Sequence, residues 1–404
     1  MSRPLEGVRV VELADYVSAP ASSRILADMG ADVIKIEQAS GNVWRRYTID
    51  HNPAKFSEEV NPSYDVYNTG KRHIVLNLKT TEGMELFHRL LATSDVFVTN
   101  LRVRALKRLG LDWESLKDKY PTLVYGLLLG YGEKGPDADI PAFDNTAFWA
   151  RTGLLLGMAP RYEPYHPSYP PFSAGDIFTG MTLAAEVCSA LFNRTKTGKG
   201  DYVRSSLFHN GIFAVSSMQI MTQKASGVEY PRSRASMGIC SGDYECKDGK
   251  YLYWAAGLAD KMLPILFSIA GKEELIHDAR FTTDKARRAN CEALHEIICG
   301  IMLSKTSEEW LKIAKEYDLP TGKIQNFSDV SEDEQALANG YIEDVVYPSG
   351  ATFKVASSPI EMDSVGEIKT GPTVKIGANT IEVLKEIGLT EEELEKYKGK
   401  GIID

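Results

Sequence analysis

The stretch "PPFSAGDIFTG" (170–180) places one carboxylate, Asp176, directly after Gly175 and ahead of the apolar run "MTLAAEVCSALFNR". A carboxylate can act as a nucleophile toward an activated carbonyl carbon, so Asp176 is a candidate catalytic residue. The same residues also suit a helix N-terminus, because aspartate is a favoured cap and glycine permits the entry turn. This stretch alone leaves both interpretations open.

Basic residues accompany two predicted strands and are candidates for phosphate binding. Parallel sheets bind ligands at the carboxyl ends of their strands, where such residues could converge. A solvated basic helix surface explains the same pattern equally well. A third loop, "GYGEKGP" (130–136), suits a mobile turn or a lid. The basic residues are Lys71, Arg72 and Lys79 in "NTGKRHIVLNLKTTEG" (68–83), and Arg102, Arg104, Lys107 and Arg108 in "TNLRVRALKRLG" (99–110).

Several familiar signatures are missing from the sequence. Glu37 ends the second predicted strand where a ribose-binding acid would sit, but the loop "ADYVSAPASSR" lacks GxGxxG, which argues against nicotinamide or flavin binding. GxxxxGK[ST], GxSxG and HExxH are also missing. The five cysteines form no CxxC pair, so we expect reduced thiols, no metal site and no permanently bound cofactor.

Short β-branched runs separated by helical stretches supply the framework for these residues. The alternation predicts an α/β fold with a doubly wound parallel sheet. A charged, irregular segment then holds a predicted hairpin, "DYECKDGKYLYWAA", with Asp248-Gly249 at its turn. The predicted strands of the sheet are "VRVVEL" (8–13), "DVIKIE" (32–37), "HIVLNL" (73–78), "DVFVTN" (95–100) and "TLVYGLLLG" (122–130).

The length and net charge of the chain narrow the possible domain organisation and the possible types of ligand. A chain of 404 residues exceeds one compact core, so we expect a large domain formed by 1–224 and 326–404 with a smaller α+β domain, 225–325, inserted. A net charge of −9 argues against nucleic-acid binding. The sequence shows no signal-peptide pattern and no obvious membrane span, which predicts a cytoplasmic protein.

Taken in order, many segments resemble the class III CoA-transferases of the CaiB/BaiF type, and the resemblance covers nearly the whole chain. The segments are "PLEGVRVVEL", "LADMGADVIKIE", "NTGKRHIVLNLKTTEG", "LKRLGLDWESL", "GYGEKGP", "AGDIFTG", "RTKTGKGDYVRSSLF", "LPTGKI" and "NTIEVLKEIGLTEEE".

This resemblance implies an interlocked homodimer, in which each subunit threads through the ring of the other and the large, Rossmann-like domain holds CoA. It assigns Asp176 as the nucleophile, which would form an aspartyl anhydride and then an aspartyl-CoA thioester. Gly175 would leave room for the thioester. Because an ordinary aspartate is ionised at pH 7, no general base is expected to be needed.

The resemblance also implies positions for CoA contacts. Gln38 stands where relatives often have a basic residue, "NLRVR" replaces "NFRPG", and the glycine-rich lid of formyl-CoA transferases has no counterpart around "SRASMGICSG" (233–242). The implied contacts are Tyr16, Val17, Gln38, Leu76, Lys79, Asn100, Arg102 and Arg108.

Within the family, the sequence is most similar to enzymes that use 2-hydroxy acids from amino-acid fermentation, such as (R)-2-hydroxyisocaproate from leucine. The 2-hydroxyacyl-CoA product would serve a dehydratase. Phenyllactate with cinnamoyl-CoA remains an alternative acceptor and donor, as do carnitine-type or bile-acid-type carboxylates. Phe143, Phe148, Trp149 and "RYEPYHPSYPPF" (161–172) are candidates to line an apolar acyl pocket, and packing in the protein core explains such aromatic residues at least as often.

Two other functions remain to be distinguished. α-Methylacyl-CoA racemases share the fold and carry histidine in an "AGHD"-like stretch, whereas "PAFDN" places Phe143 ahead of Asp144. Asp144 could take part in catalysis or cap a helix. A non-catalytic CoA-binding subunit would have no chemical need for Asp176.

Overall fold

The computed structural model describes residues 3–51, 54, 56–158, 170–227, 240–255 and 259–404. The chain divides into two compact units, with boundaries after residues 220 and 332. The first unit contains the described residues of 3–158, 170–220 and 333–404, and the second contains those of 221–332. The boundaries predicted from the sequence, after residues 224 and 325, differ from these by a few residues.

A six-stranded parallel sheet, in the order β3-β2-β1-β4-β5-β6, organises the first unit. This confirms the α/β fold with a parallel sheet. Its strands are β1 (Arg9–Leu13), β2 (Asp32–Glu37), β3 (Arg72–Val75), β4 (Val96–Thr99), β5 (Val124–Leu129) and β6 (Tyr202–Ser206).

Apolar side chains cover both faces of this sheet. On β1, Val11 belongs to one hydrophobic layer and Val10 to the other. Phe97 and Val98 alternate in the same way on β4. Strands buried on both faces are continuous apolar runs, which is why five of the six could be recognised in the sequence.

The sixth strand was not predicted. Its sequence, "YVRSS", has few apolar residues, and its first three positions are exposed or half-buried at the edge of the sheet. β3 also begins at Arg72 and ends at Val75, earlier than the predicted run 73–78.

Helices pack on both faces of the sheet, with α1 and α8 on one face and α4 on the other. The helices before residue 222 are α1 (Ser18–Asp28), α2 (Val43–Asp50), α3 (Pro62–Asn68), α4 (Thr81–Leu91), α5 (Val103–Leu109), α6 (Trp113–Leu116), a π-helical segment (Asp144–Ala150), α7 (Leu154–Gly157), α8 (Ala174–Thr197), α9 (Leu207–Ala214) and α10 (Ser216–Met221).

α8 is long and apolar enough to cross a membrane when only its length and composition are considered, which the sequence analysis did not anticipate. In the structure it contacts α1, β5 and β6, and Leu183 and Val187 are fully buried in the hydrophobic layer on that face. These contacts are those of a core helix in an α/β fold.

The second unit has a three-stranded antiparallel sheet, β7 (Gly242–Glu245), β8 (Tyr251–Trp254) and β9 (Thr321–Lys323). Asp248 and Gly249 form the predicted turn between β7 and β8, with Gly249 at φ 72°. Trp254 and Trp310 are buried in its core. The described part of this unit has two short 3-10 helices, Lys224–Ser226 and Glu273–His277. Its α-helices are α11 (Ala259–Ile269), α12 (Asp284–Ala289), α13 (Cys291–Met302), α14 (Ser307–Glu316) and α15 (Phe327–Val330).

The C-terminal segment completes the first unit. Its helices and strands are α16 (Glu334–Ala338), β10 (Ile342–Val346), β11 (Thr352–Ala356), α17 (Thr380–Glu386) and α18 (Glu391–Gly399). Leu384 of α17 is fully buried in the same hydrophobic layer as β3 and α4, and Leu394 and Ile402 are nearly so. The backbone amide of Asn77, just past β3, donates to the Ile402 carbonyl at 2.8 Å.

Candidate active site

Asp176 lies in the first turn of α8, where it is partly exposed. It is the third residue of the helix and does not cap it, because the preceding Ser173 occupies the N-cap position. The left-handed entry conformation, φ 63°, also belongs to Ser173 and not to Gly175. The interpretation of Asp176 as a cap is therefore wrong. The Ser18 hydroxyl at the start of α1 lies close enough to the Asp176 carboxylate to act against the rise in its pKa.

Asp144 places a second carboxylate beside the same helix terminus. It begins the π-helical segment, and Trp149 Nε1 donates to its Oδ2 at 3.1 Å. The amides of Ser173, Gly175 and Asp176 lie close enough to lower the pKa of Asp144. Its Oδ1 is nevertheless buried without a well-aligned donor among the described residues. The carboxylate therefore faces the N-terminus of α8, whereas the N-cap of its own segment is Phe143.

Burial makes both carboxyl groups weaker acids than ordinary aspartates, and repulsion from Asp144 adds to this effect on Asp176. The pKa of Asp176 is raised to about 7, first by burial and then by the neighbouring Asp144. Burial raises the pKa of Asp144 to about 6. Burial and both carboxylates also raise the pKa of the Tyr67 phenol to about 12. The expectation that Asp176 has an ordinary pKa is therefore wrong, and the pair retains a proton near neutral pH.

The close packing around Gly175, next to the two carboxylates, leaves no room for a side chain at this position. A Cβ on Gly175 would lie 2.2 Å from Asp144 Oδ1 and 2.3 Å from a Phe148 ring carbon. Phe148 and Trp149, predicted to line an acyl pocket, are buried in the hydrophobic layer that includes α8. Trp149 thus supports Asp144, and Phe148 packs beside Gly175.

The loop from β1 to α1 approaches Asp176 in a strained conformation. Tyr16 adopts φ 60°, in the left-handed region that non-glycine residues rarely occupy. Asn100 holds this loop, because its Oδ1 accepts from the Asp15 amide at 3.0 Å and its Nδ2 donates to the Asp15 carbonyl at 2.7 Å. Val17 is buried. Both polar atoms of the Asn100 side chain therefore form hydrogen bonds with the backbone of Asp15.

Aromatic rings surround the same loop. The Tyr16 ring meets the Phe143 ring edge-on at 5.2 Å, and Trp44 stacks on Phe172 at 5.5 Å and on Tyr47 at 5.4 Å. Phe143 and Phe172 remain 52% and 57% exposed, respectively. They form an accessible apolar surface beside the carboxylates. The rest of the predicted aromatic segment, 161–169, lies outside the described residues, and so does most of the segment 233–242.

The structure separates the basic residues into two groups. Lys71 is buried and paired with Glu12 at 2.7 Å. Arg72 pairs with Glu382 and Glu386 at the start of β3, not at its carboxyl end. These two residues do not join a phosphate cluster.

The remaining basic residues follow the carboxyl ends of strands. Arg104 pairs with Asp139 at 3.3 Å. No ion pair is found within the described chain for Lys79, Arg102, Lys107 or Arg108, all of which are exposed. Gln38 is exposed after β2, whereas the side chain of Leu76 is buried in the core.

Sequence reasoning missed Ser18 and Tyr67, although both lie near the carboxylates. Neither belongs to a recognisable motif, because each reaches the site from a different helix through the fold.

The loop 130–136 is held at Glu133, which accepts from Arg204 at 2.9 Å. Among the residues described, no group of three or more His, Cys, Asp or Glu side chains could hold a metal ion.

Comparison with known proteins finds relatives that match nearly the whole chain. The chain is 37% identical over 401 residues to (R)-2-hydroxy-4-methylpentanoate CoA-transferase from Clostridioides difficile, covering 99% of each chain. It is 38% identical over 395 residues to cinnamoyl-CoA:phenyllactate CoA-transferase from Clostridium sporogenes, covering 97% of this chain and 95% of the other.

Solved structures are similar over the same extent. A CaiB/BaiF family protein from Brucella suis superposes with a TM-score of 0.80 at 30% identity, covering 96% of this chain and 100% of that one. The family described as "CoA-transferase family III" matches residues 5–380. The chain therefore belongs to CoA-transferase family III.

Proposed function

We propose that this enzyme moves CoA from an acyl-CoA or enoyl-CoA donor to a 2-hydroxy carboxylate, with Asp176 as the nucleophile. The observation that supports this most strongly is the position of Asp176 at the N-terminus of α8, partly exposed and close to Ser18. Two similar enzymes act on 2-hydroxy-4-methylpentanoate and phenyllactate, which are both 2-hydroxy acids.

The proposed reaction begins when ionised Asp176 attacks the thioester carbonyl of the donor. The carbon–sulfur bond breaks, so that an aspartyl–acyl anhydride and the CoA thiolate form. The thiolate then attacks the aspartyl carbonyl, which releases the donor acid as its carboxylate and leaves an aspartyl-CoA thioester. The acceptor carboxylate repeats these steps in reverse, and no proton is gained or lost overall.

The environment of Asp176 suits a weak nucleophile. Its raised pKa reflects removal from water, and a poorly hydrated carboxylate reacts more readily than a solvated one. The helix N-terminus and the Ser18 hydroxyl favour the ionised form that attacks. Because anhydrides hydrolyse readily, exclusion of water from this site is part of the proposed catalysis.

CoA is proposed to lie along the carboxyl edge of the sheet. Lys79 and Arg108 are exposed there after β3 and β4, so they would bind its phosphates. Tyr16, Val17, Gln38, Asn100 and Arg102 border the same edge. Leu76 and Asn100 would contact CoA through backbone atoms or by shaping the binding surface. The side chain of Leu76 is buried in the core, and that of Asn100 is hydrogen-bonded to Asp15.

The exposed Phe143 and Phe172 rings favour an acceptor with an apolar side chain. We propose (R)-2-hydroxyisocaproate as the acceptor, with phenyllactate as the alternative, in amino-acid fermentation. A cytoplasmic interlocked homodimer that supplies a 2-hydroxyacyl-CoA dehydratase belongs to the same proposal.

The test is CoA transfer followed by mass spectrometry, with isocaproyl-CoA or cinnamoyl-CoA and a panel of 2-hydroxy acids. We expect the wild type to transfer CoA and a folded Asp176→Asn variant to lose at least about 1,000-fold in rate. Asp139→Asn, which removes an exposed carboxylate, is the control. Full activity of Asp176→Asn would refute the nucleophile, and exchange of the α-proton without transfer would indicate a racemase.

A further inference from the structure

Three charged side chains are completely buried beside the site. Glu12 of β1, Lys35 of β2 and Lys71, directly before β3, have no exposed side-chain surface. Lys35 Nζ pairs with Glu12 Oε1, and Lys71 Nζ pairs with Glu12 Oε2 at 2.7 Å. One carboxylate therefore accepts hydrogen bonds from two lysines, and burial lowers the pKa of Lys71 to about 7.

The amino groups of both lysines make additional contacts with the backbone. Lys35 Nζ donates to the Ala14 carbonyl at 3.0 Å, and Lys71 Nζ donates to the Pro20 carbonyl at 2.8 Å. Ala14 and Pro20 flank residues 15–19, which include Tyr16 in the β1–α1 loop and the first residues of α1. Asn42 Nδ2 also donates to Ala14 at 3.0 Å and to Asp15 Oδ1 at 2.8 Å.

The loop needs such restraint because Tyr16 is held at φ 60°. A strained backbone conformation persists only where its surroundings determine it. The loop and the first turn of α1 bring the Ser18 hydroxyl close to Asp176 and the Tyr16 ring against Phe143. The Ser18 carbonyl also lies against Gly180 of α8, where a Cβ would be 2.5 Å away. Small movements of a reacting group can change rates about 100-fold.

We infer that Lys35 and Lys71, joined by Glu12, are positioning residues that hold the β1–α1 loop against Asp176. This inference rests on the proposed function, because it assigns the loop a role in that reaction. The lysines bond to the carbonyl groups of Ala14 and Pro20, at the two ends of this segment. They therefore act on Asp176 indirectly, through Ser18.

The charge balance makes the inference testable. Lys71→Met removes the donor to Pro20 and leaves Glu12 with Lys35 as a neutral buried pair, so the fold is expected to tolerate it. Asn42→Ser provides an independent variant without any buried charge. Serine keeps the N-cap that Asn42 supplies to the Trp44 amide but removes the amide donor to Ala14 and Asp15.

The matched control is the double variant Arg24→Met with Asp28→Asn. This pair is nearly as buried and lies on α1, with Arg24 Nε at 2.6 Å from Asp28 Oδ1. Its other side-chain hydrogen bonds join Val66, Thr370 and Ser358, not the Ala14 or Pro20 carbonyls. We expect its kcat to stay within twofold of the wild type.

We expect Lys71→Met and Asn42→Ser to fold, to lose at least tenfold in kcat and to change KM for the CoA donor by less than that. Amide hydrogen exchange in residues 14–20 should become at least tenfold faster. Unchanged kcat or unchanged exchange in both variants overturns the inference, as does an equal loss in the control.

If Lys71→Met does not fold, Asn42→Ser decides the question. A wild type that transfers no CoA refutes the proposed function, and hydrogen exchange still reports separately whether these side chains hold the loop.

Discussion

Two buried acidic sites next to α1 have opposite properties. Glu12 is paired with two lysines, and although burial acts against ionisation, Lys35 and Lys71 lower its pKa to about 2. Asp176 is also largely removed from water, but its neighbour is Asp144, and its pKa is raised to about 7. The comparison shows that the neighbouring groups decide whether a buried carboxylate is a fixed charge or a titratable group.

Removal of the Glu12 charge should have the largest effect on stability. Glu12→Gln leaves Lys35 and Lys71 buried without a counter-charge, and we expect the free energy of unfolding to fall by about 3–5 kcal/mol at pH 7. Because the folded pKa is lowered, this contribution exists above the unfolded pKa and disappears as the pH falls toward 2. Urea unfolding measures it. A loss no larger than that of Lys71→Met would contradict the fixed-charge interpretation.

Gly175→Ala should disturb the arrangement of Asp144 and Asp176, because the site has no room for a methyl group at residue 175. The new methyl group must displace Asp144 or Phe148, which we expect to cost about 1–3 kcal/mol of stability and at least tenfold in activity. Gly300→Ala on α13 is the control, because a Cβ there meets nothing within 4 Å. That change should be neutral or slightly stabilising. Equal effects of the two substitutions in thermal unfolding would refute the packing argument.

Neutralising Asp144 should change the pH dependence of the reaction. Asp144 raises the pKa of Asp176, so Asp144→Asn is expected to shift the acidic limb of the kcat/KM profile downward by about one pH unit. The fraction of ionised nucleophile at pH 6 therefore increases. Asp139→Asn should leave the midpoint where it is in the wild type. An unchanged profile in Asp144→Asn would mean that the two carboxylates do not interact during catalysis.

The smallest expected effect is a gain of stability. The folded pKa of Asp176 lies above the unfolded value near 3.9, so the folded state loses stability as the pH rises from about 4 through 7. Asp176→Asn removes this loss and should stabilise the protein by about 1–2 kcal/mol at pH 8 but hardly at pH 4. Thermal unfolding at both pH values measures the difference. An equal gain at both would show that ionisation is not its cause.

The sequence predicted some of these features better than others. The strands β1, β2, β4 and β5 were recognisable because burial on both faces favours apolar, β-branched residues, although β1 and β2 also contain Glu12 and Lys35. Asp176 could be singled out by the AGD stretch and its family resemblance. The positions of Ser18, Tyr67 and Lys71 could not be predicted, because they depend on which helices meet across the sheet. Likewise, the raised pKa of Asp176 depends on Asp144, which is 32 residues away in the chain.

The C-terminal segment has a consequence for synthesis of the protein on the ribosome. Leu384, Leu394 and Ile402 complete the hydrophobic layer over β3 and α4, so this layer stays open while residues 221–332 are made. At ordinary rates of about 5–20 residues per second, the first unit waits roughly ten seconds or longer with apolar surface uncovered. The second unit, whose residues are consecutive from 221 to 332 in its main part, can fold during that time. We therefore expect incomplete chains of this enzyme to expose apolar surface until the last residues of the layer have been made.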